Sequence, residues 1–401
     1  MSSDDPDELI ARCDRAIEVD AEAYEAWYSR GVALFELGRF DEAIASWCKV
    51  LAINPKHYQS WYRYGRMLDK LGQHENAIAS LDRAIAIAPN FDKAYNAKGM
   101  AWDRLEQYSK SVECYAKAIA LNPKSYEAYN NLGLALASLG QLEKAIANYD
   151  RAITLKPDHH EALNNRGVAR FDLGEIDTAI SDYEAALAIE PAYAIAYQNK
   201  GLAIMEIGRY GEAISTFERA LELEPSFYEA WHYRGVALAA LGYWDKAVVS
   251  YTKAVELDPT FHDAWYSMGC ALDRAGRYLE ALASFDRAVA TKLDDYDSWC
   301  ARGKVLASLG KYEEAIANYA RAIQIKPAAA EAYYDRGIAL MNLRRDLEAI
   351  AAYDSATSAN PQLYAAHYNR GIVLARQGRY ADAVSAYDRA IALNDRDPEI
   401  W

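Results

Sequence analysis

The sequence predicts an all-α solenoid of stacked antiparallel helix hairpins, and three observations predict it. Eleven glycines, from Gly31, Gly65 and Gly99 through Gly337 and Gly371, follow one another at a spacing of 34 residues. A period of that length, held without insertion or deletion, marks a stack of identical supersecondary units. Within each period apolar residues recur at helical spacing on both sides of a second glycine position, and most periods close at a proline.

The first unit shows how each element arises. Trp27, Val32, Leu34, Phe35 and Leu37 surround Gly31 as one helix, and Ala43, Ile44, Trp47 and Val50 form the apolar stripe of a second. Gly38 lies between them, where a left-handed turn suits glycine. A glycine inside a helix costs roughly 1 kcal/mol relative to alanine, so its recurrence implies close helix contact. Four residues before each glycine stands a large side chain, such as Trp27, Tyr95 or Trp231, expected to fill the adjacent space; His367 is the outlier. Second helices end at Pro55, Pro89, Pro123 and their successors. Glu106 and Arg344 replace the turn glycine, and Leu293 and Asp395 replace the proline. Altered turns are therefore expected near 106, 293 and 344. Arg170 stands where the pattern calls for an apolar core residue.

The order large aromatic, Gly, Leu-Gly, Ala, Tyr or Phe, Ala, Pro resembles the tetratricopeptide repeat (TPR), and Ala128-Tyr129-Asn130-Asn131-Leu132-Gly133 carries it well. The resemblance implies a right-handed superhelical solenoid with eleven units over residues 24–397, starting at 24, 58, 92, 126, 160, 194, 228, 262, 296, 330 and 364. Residues 1–23 repeat the second-helix pattern and are expected to cap the stack as a half-unit. Residues 398–401 open an incomplete twelfth unit, with Trp401 in the large-aromatic slot. Terminal repeats normally present a polar outer face, so this ending points to truncation of a longer chain, to a partner or second copy across that end, or to a frayed tail.

An ion pair is written into the repeat. The residue before the glycine is basic in eight units, and an acid often stands sixteen residues earlier on the preceding second helix. Asp14/Arg30, Asp82/Lys98, Asp150/Arg166, Glu184/Lys200, Glu218/Arg234, Asp286/Arg302 and Asp354/Arg370 have both partners; Cys48/Tyr64, Ala116/Leu132 and Thr252/Met268 lack both; only Ala320/Arg336 breaks the rule. Acid and base appear and vanish together, so they are expected to touch across the boundary between units and to set its register.

A net charge of −14 with interspersed signs argues against a phosphate-backbone binder, so no nucleic-acid partner is expected. The acidic N-terminus lacks an apolar signal core and no stretch reaches membrane-spanning length, so a cytoplasmic protein is expected. The five cysteines show no Cys-x-x-Cys spacing and are expected to be free thiols; no metal or other cofactor is expected. His159 and His160 are read as exposed loop residues.

The TPR resemblance places certain first-helix slots on a concave surface, and their contents vary. Three before the glycine stand Tyr28, Tyr62, Asn96, Asn130, Asn164, Gln198, His232, Tyr266, Cys300, Tyr334 and Tyr368, widened by Asn131, Asn165 and Asn199. Carboxamides offer donors and acceptors to a peptide main chain whatever its sequence, and tyrosines add apolar area at low entropy cost. Such an asparagine-lined face resembles the repeat region of O-linked N-acetylglucosamine transferases and implies binding of extended polypeptide. Units two and three add Arg63, Arg66, Lys70, Lys93 and Arg104 against Asp69 and Asp103, so an acidic stretch or terminal carboxylate is expected to dock near Arg63, Arg66 and Arg104. The lysine and asparagine clamp of chaperone-binding family members is not expected, because its slots hold other residues.

These readings favour a non-enzymatic scaffold for protein or peptide segments. The competing reading is a recruiting arm of a larger glycosyltransferase or kinase.

Overall fold

In this computed structural model residues 5–393 are described. They fall into two compact units, one ending at Ala203 and the other beginning at Ile204, within a single helix. The first contains α1 (Pro6–Val19), α2 (Tyr24–Glu36), α3 (Phe40–Ile53), α4 (Tyr58–Lys70), α5 (His74–Ile87), α6 (Asp92–Arg104), α7 (Tyr108–Leu121), α8 (Tyr126–Ser138), α9 (Leu142–Leu155), α10 (His160–Asp172), α11 (Ile176–Ile189) and the start of α12 (Ala194–Glu206). The second holds the rest of α12, then α13 (Tyr210–Leu223), α14 (Tyr228–Ala240), α15 (Trp244–Leu257), α16 (His262–Arg274), α17 (Tyr278–Thr291), α18 (Tyr296–Ser308), α19 (Tyr312–Ile325), α20 (Ala330–Asn342), α21 (Asp346–Ala359), α22 (Tyr364–Arg376) and α23 (Tyr380–Leu393).

From α2 onward a helix of 13 residues alternates with one of 14, and the links between them hold the period constant. Within each unit helices pack on their neighbours in sequence, and successive first helices also touch, as α4 with α6 and α16 with α18. Each compact unit is thus a run of stacked hairpins with its core between successive helix pairs.

The repeated glycine meets its own hairpin partner. A Cβ at Gly133 would lie 2.5 Å from the Tyr149 ring, and one at Gly31 would lie 2.5 Å from Trp47. The side chain that occupies this space therefore comes from the second helix, sixteen residues later, and not from the large residue four before the glycine. That residue has another use. Trp27 Nε1 donates to Ala21 O, Trp61 to Pro55 O, Trp231 to Pro225 O and Trp265 to Pro259 O, at 2.9–3.0 Å, so each indole ties its helix to the preceding link. His367 Nε2 reaches Pro361 O at 3.4 Å, an imidazole in the indole's place.

The turns expected to be altered are not. Glu106 and Arg344 adopt φ of 56° and 60°, in the left-handed region that the turn glycines occupy at 71–80°. The same two bonds close the helix: Gly38 N donates to Phe35 O and Arg39 N to Leu34 O, as Glu106 N donates to Asp103 O and Gln107 N to Trp102 O. At 293 the link is likewise unchanged, because Trp299 Nε1 donates to Leu293 O at 3.0 Å and a carbonyl serves whether or not it belongs to proline. Asp395, residues 394–397 and residues 398–401 lie outside the described residues.

All seven predicted ion pairs form. Arg30 Nε meets Asp14 at 2.6 Å, Lys98 Nζ meets Asp82 at 2.6 Å, Arg166 Nη1 meets Asp150 at 2.6 Å and Lys200 Nζ meets Glu184 at 2.8 Å. Arg234, Arg302 and Arg370 meet Glu218, Asp286 and Asp354 at 2.7, 2.6 and 2.5 Å. At Arg370 the contact is an ion pair by distance, but Nε has no hydrogen bond of good geometry. The base also reaches forward to its own second helix: Arg30 donates to Ser46 Oγ, Arg234 to Ser250 Oγ and Arg302 to Asn318 Oδ1. Each such base links the preceding second helix to the following one.

His159 is buried, not an exposed loop residue; its ring lies edge-on 5.0 Å from Tyr126, and the His160 ring does the same against Tyr193.

Candidate functional site

The predicted groove residues all lie on first helices, where successive first helices come together. In the unit ending at Ala203 they form a carboxamide ladder. Asn131 Nδ2 donates to Asn96 Oδ1 at 3.2 Å, Asn165 to Asn130 at 3.1 Å, and Asn199 to Asn164 at 3.0 Å. Asn130 and Asn164 are only 8% and 3% exposed. Each rung joins consecutive hairpins, so these amides use part of their hydrogen-bonding capacity on one another; an asparagine side chain has two donors and two acceptor lone pairs. Gln198, next in the row, has a buried Oε1 without a partner.

Tyr28 and Tyr62 flank the ladder, packed edge-on against His57 and Phe91 with centroids 4.9 and 5.0 Å apart. Beside them two clefts share Arg66, Ala97 and Met100. One, about 290 Å³, is lined also by Tyr62, Lys93, Asn96 and Glu127. The other, about 190 Å³, is lined also by Phe35, Asp69, Lys70 and Arg104. The structure thus gathers Arg66, Lys70, Lys93 and Arg104; Arg63 is half-buried and lines neither cleft.

The electrostatics of the smaller cleft are one-sided. Asp69 Oδ1 is 2.7 Å from His74 Nδ1, and among the described residues no carboxylate forms an ion pair with Arg66, Lys70 or Arg104. Aromatic faces hold two of these cations: Arg66 lies 5.7 Å from the Tyr62 centroid and Lys70 Nζ 4.0 Å from that of Phe40.

In the unit beginning at Ile204 the predicted residues are aromatic rings in place of carboxamides. His232 is 6% exposed and its ring packs against Phe261 at 5.1 Å; burial lowers its pKa to about 4, so the imidazole is neutral at pH 7. Tyr334 OH accepts from Asn369 Nδ2 at 3.2 Å, and the Tyr368 ring lies 5.8 Å from Tyr387. Tyr266 lines a cleft of about 450 Å³ with Cys270, Cys300, Lys304 and Asp335. Burial raises both thiols and the Asp335 carboxyl above their ordinary ranges, and Lys304 Nζ stands 3.5 Å from Asp335. Sequence reading placed Cys300 in the row three before the glycine but missed Asp335, which sits in the slot two before the glycine, as the outer asparagines of the ladder do.

All five cysteines are free thiols, and among the described residues no cluster of three or more metal-ligating side chains occurs. No described helix is long and apolar enough to cross a membrane.

Hairpins of fixed length, packed in succession within each compact unit, define an α-helical repeat protein. Profiles described as TPR repeat match residues 104–140, 133–174 and 303–343, and others described as tetratricopeptide repeat match 4–55, 58–91, 160–193, 199–260, 250–283 and 334–398. The chain belongs to the tetratricopeptide repeat family, whose folds serve as protein-interaction scaffolds. No match is found among curated proteins. Among solved structures, MamA is 30% identical, with 40% of this chain and 94% of that chain covered and a TM-score of 0.38. YrrB, described as a TPR protein with an unusual peptide-binding site, is 22% identical over 46% of this chain and 96% of its own, with a TM-score of 0.39. The Cut9-Hcn1 hetero-tetramer of the APC/C gives 14% identity, 98% and 91% coverage and a TM-score of 0.45.

Proposed function

We propose that this protein is a non-catalytic scaffold whose first-helix face binds extended polypeptide, with an acidic stretch or terminal carboxylate seated at Arg66, Lys70 and Arg104. The observation that carries the reading is the convergence of these cations on one cleft from which the nearby acid, Asp69, is engaged by His74. Three cations share this cleft with one carboxylate, and an anionic ligand relieves the excess positive charge while gaining charge-assisted hydrogen bonds. The adjacent cleft offers Asn96 to the main chain and Tyr62 to an apolar side chain.

Fluorescence anisotropy with labelled acidic, neutral and basic peptides tests this. The acidic peptide should bind most tightly and weaken with added salt, and Arg66→Glu with Arg104→Glu should remove about 2 kcal/mol or more of its affinity. Binding indifferent to peptide charge, or undiminished by the double reversal, would refute the assignment.

A further inference from the structure

Away from the first-helix clefts, three boundaries lack the charged pair, at Cys48/Tyr64, Ala116/Leu132 and Thr252/Met268, and at the last of them a cleft opens. At Arg30, Arg166, Arg234 and Arg302 a base spans from an acid on the preceding second helix to a polar group on the following one. Where α15, α16 and α17 meet, the three corresponding positions hold Thr252, Met268 and Ser284. No charge is present, and the two hydroxyls are used locally: Thr252 Oγ1 donates to Val248 O at 2.8 Å and Ser284 Oγ to Glu280 O at 3.0 Å.

What stands in the link's place is a cleft of about 510 Å³, floored by Trp265, Met268 and Leu272 and walled by Val248 and Ala283. Its rim is charged asymmetrically. Arg277 is engaged by Glu280 at 2.7 Å and Asp245 at 3.0 Å. Arg287 is exposed, with its guanidinium 5.7 Å from the Trp265 ring centroid, and no described carboxylate pairs with it. Leu279, Ala283 and Arg287 follow at four-residue steps on α17, and Leu279 is 70% exposed, so the apolar surface continues along that helix.

We propose that this cleft is a docking site for a partner polypeptide segment presenting one large apolar side chain beside a carboxylate. The apolar side chain enters between α15 and α17 onto Trp265 and Met268, and the carboxylate pairs with Arg287. The satisfied hydroxyls leave the interior no polar demand, which selects an apolar anchor; the rim cation that no described carboxylate pairs with, Arg287, selects an acid. This surface is separate from the first-helix clefts, so a scaffold using both would hold two segments at once.

The test is a random-peptide display selection on the intact chain, counter-selected against Thr252→Asp/Met268→Arg, which rebuilds the repeat's ion pair inside the cleft. The selection should enrich peptides carrying Trp, Phe or Leu within a turn of Asp or Glu. These should bind the double variant about tenfold or more weakly, and Arg287→Glu should weaken them similarly. Thermal unfolding checks that the double variant stays folded, and Ala283→Trp, which fills the cleft from its wall, gives an independent block. The proposal is overturned if no peptide distinguishes the chain from both blocked variants, or if the distinguishing peptides lack an acid. It is equally overturned if light scattering finds self-association that both blocks abolish, which makes the occupant a second copy.

Discussion

Arg166 grips Asp182 with two hydrogen bonds, Nε to Oδ2 at 3.0 Å and Nη2 to Oδ1 at 2.5 Å. Arg170 Nη1 adds a third at 2.8 Å, and Arg166 Nη1 reaches back to Asp150. This cluster explains why an arginine is tolerated at 170: a buried acid sixteen residues after Arg166 receives both guanidinium groups. Replacing that acid by an amide takes the buried counter-charge from two partly buried cations and leaves them one neutral oxygen to share, whereas Asp150 is half exposed. Asp182→Asn should therefore lower stability by about 3 kcal/mol, and Asp150→Asn by about 0–1 kcal/mol. Urea unfolding of both variants checks the ordering, and equal losses would contradict it.

A second prediction concerns Gly133. Alanine there gains about 1 kcal/mol of helix propensity, but its Cβ would stand 2.5 Å from Tyr149, a ring only 1% exposed. The buried ring must shift to admit the methyl group, and overpacking of this kind costs about 1–3 kcal/mol. Gly133→Ala should thus give a net loss, and a paired Gly133→Ala/Tyr149→Leu variant should recover part of it. If Gly133→Ala alone raises the unfolding midpoint, the contact is looser than described.

Glu106 and Arg344 carry a different strain. Both hold a left-handed conformation that disfavours a side chain by about 1–2 kcal/mol, partly offset by the greater unfolded-state freedom that glycine brings. Glu106→Gly and Arg344→Gly should each stabilise the chain by about 0.5–1 kcal/mol. Paired thermal melts measure this; a loss at both positions would mean that the side chains contribute interactions outweighing the strain.

The repeat, the helix pairing and the acid–base register were legible in the sequence because each is written many times over, so that a slot's role emerges by comparing units. What was missed occurs once or depends on partners distant in sequence. Asp182 looks like any surface acid until Arg166 and Arg170 turn toward it. The turn at 106 was expected to change because glycine usually supplies the left-handed residue, yet the two closing hydrogen bonds impose it on glutamate. For the groove, sequence reading assembled the row of asparagines and the basic group. It did not see that Asn131, Asn165 and Asn199 bond to the rung before, because that contact exists only once first helices stack.

His232 supplies a pH-dependent prediction. It is 6% exposed, its Nδ1 is buried without a partner, and burial depresses its pKa to about 4 despite the opposing effect of Asp263. A folded-state pKa below the free imidazole value near 6.5 means that the unfolded chain takes up the proton first as pH falls. The neutral form's contribution is fully present above pH 6.5 and is lost progressively toward pH 4. At pH 5.5 the expected loss is about 1.4 kcal/mol. Carboxylates elsewhere titrate over part of the same window, so the informative quantity is the difference between the chain and His232→Asn, which places in this slot the non-titrating residue found at Asn130 and Asn164. Hydrogen exchange of α14 and α15 at pH 7 and pH 5.5, corrected for intrinsic rates, reads it locally. Protection in these helices should fall with pH in the chain more than in the variant. An identical fall in both would show that His232 is not the group responsible.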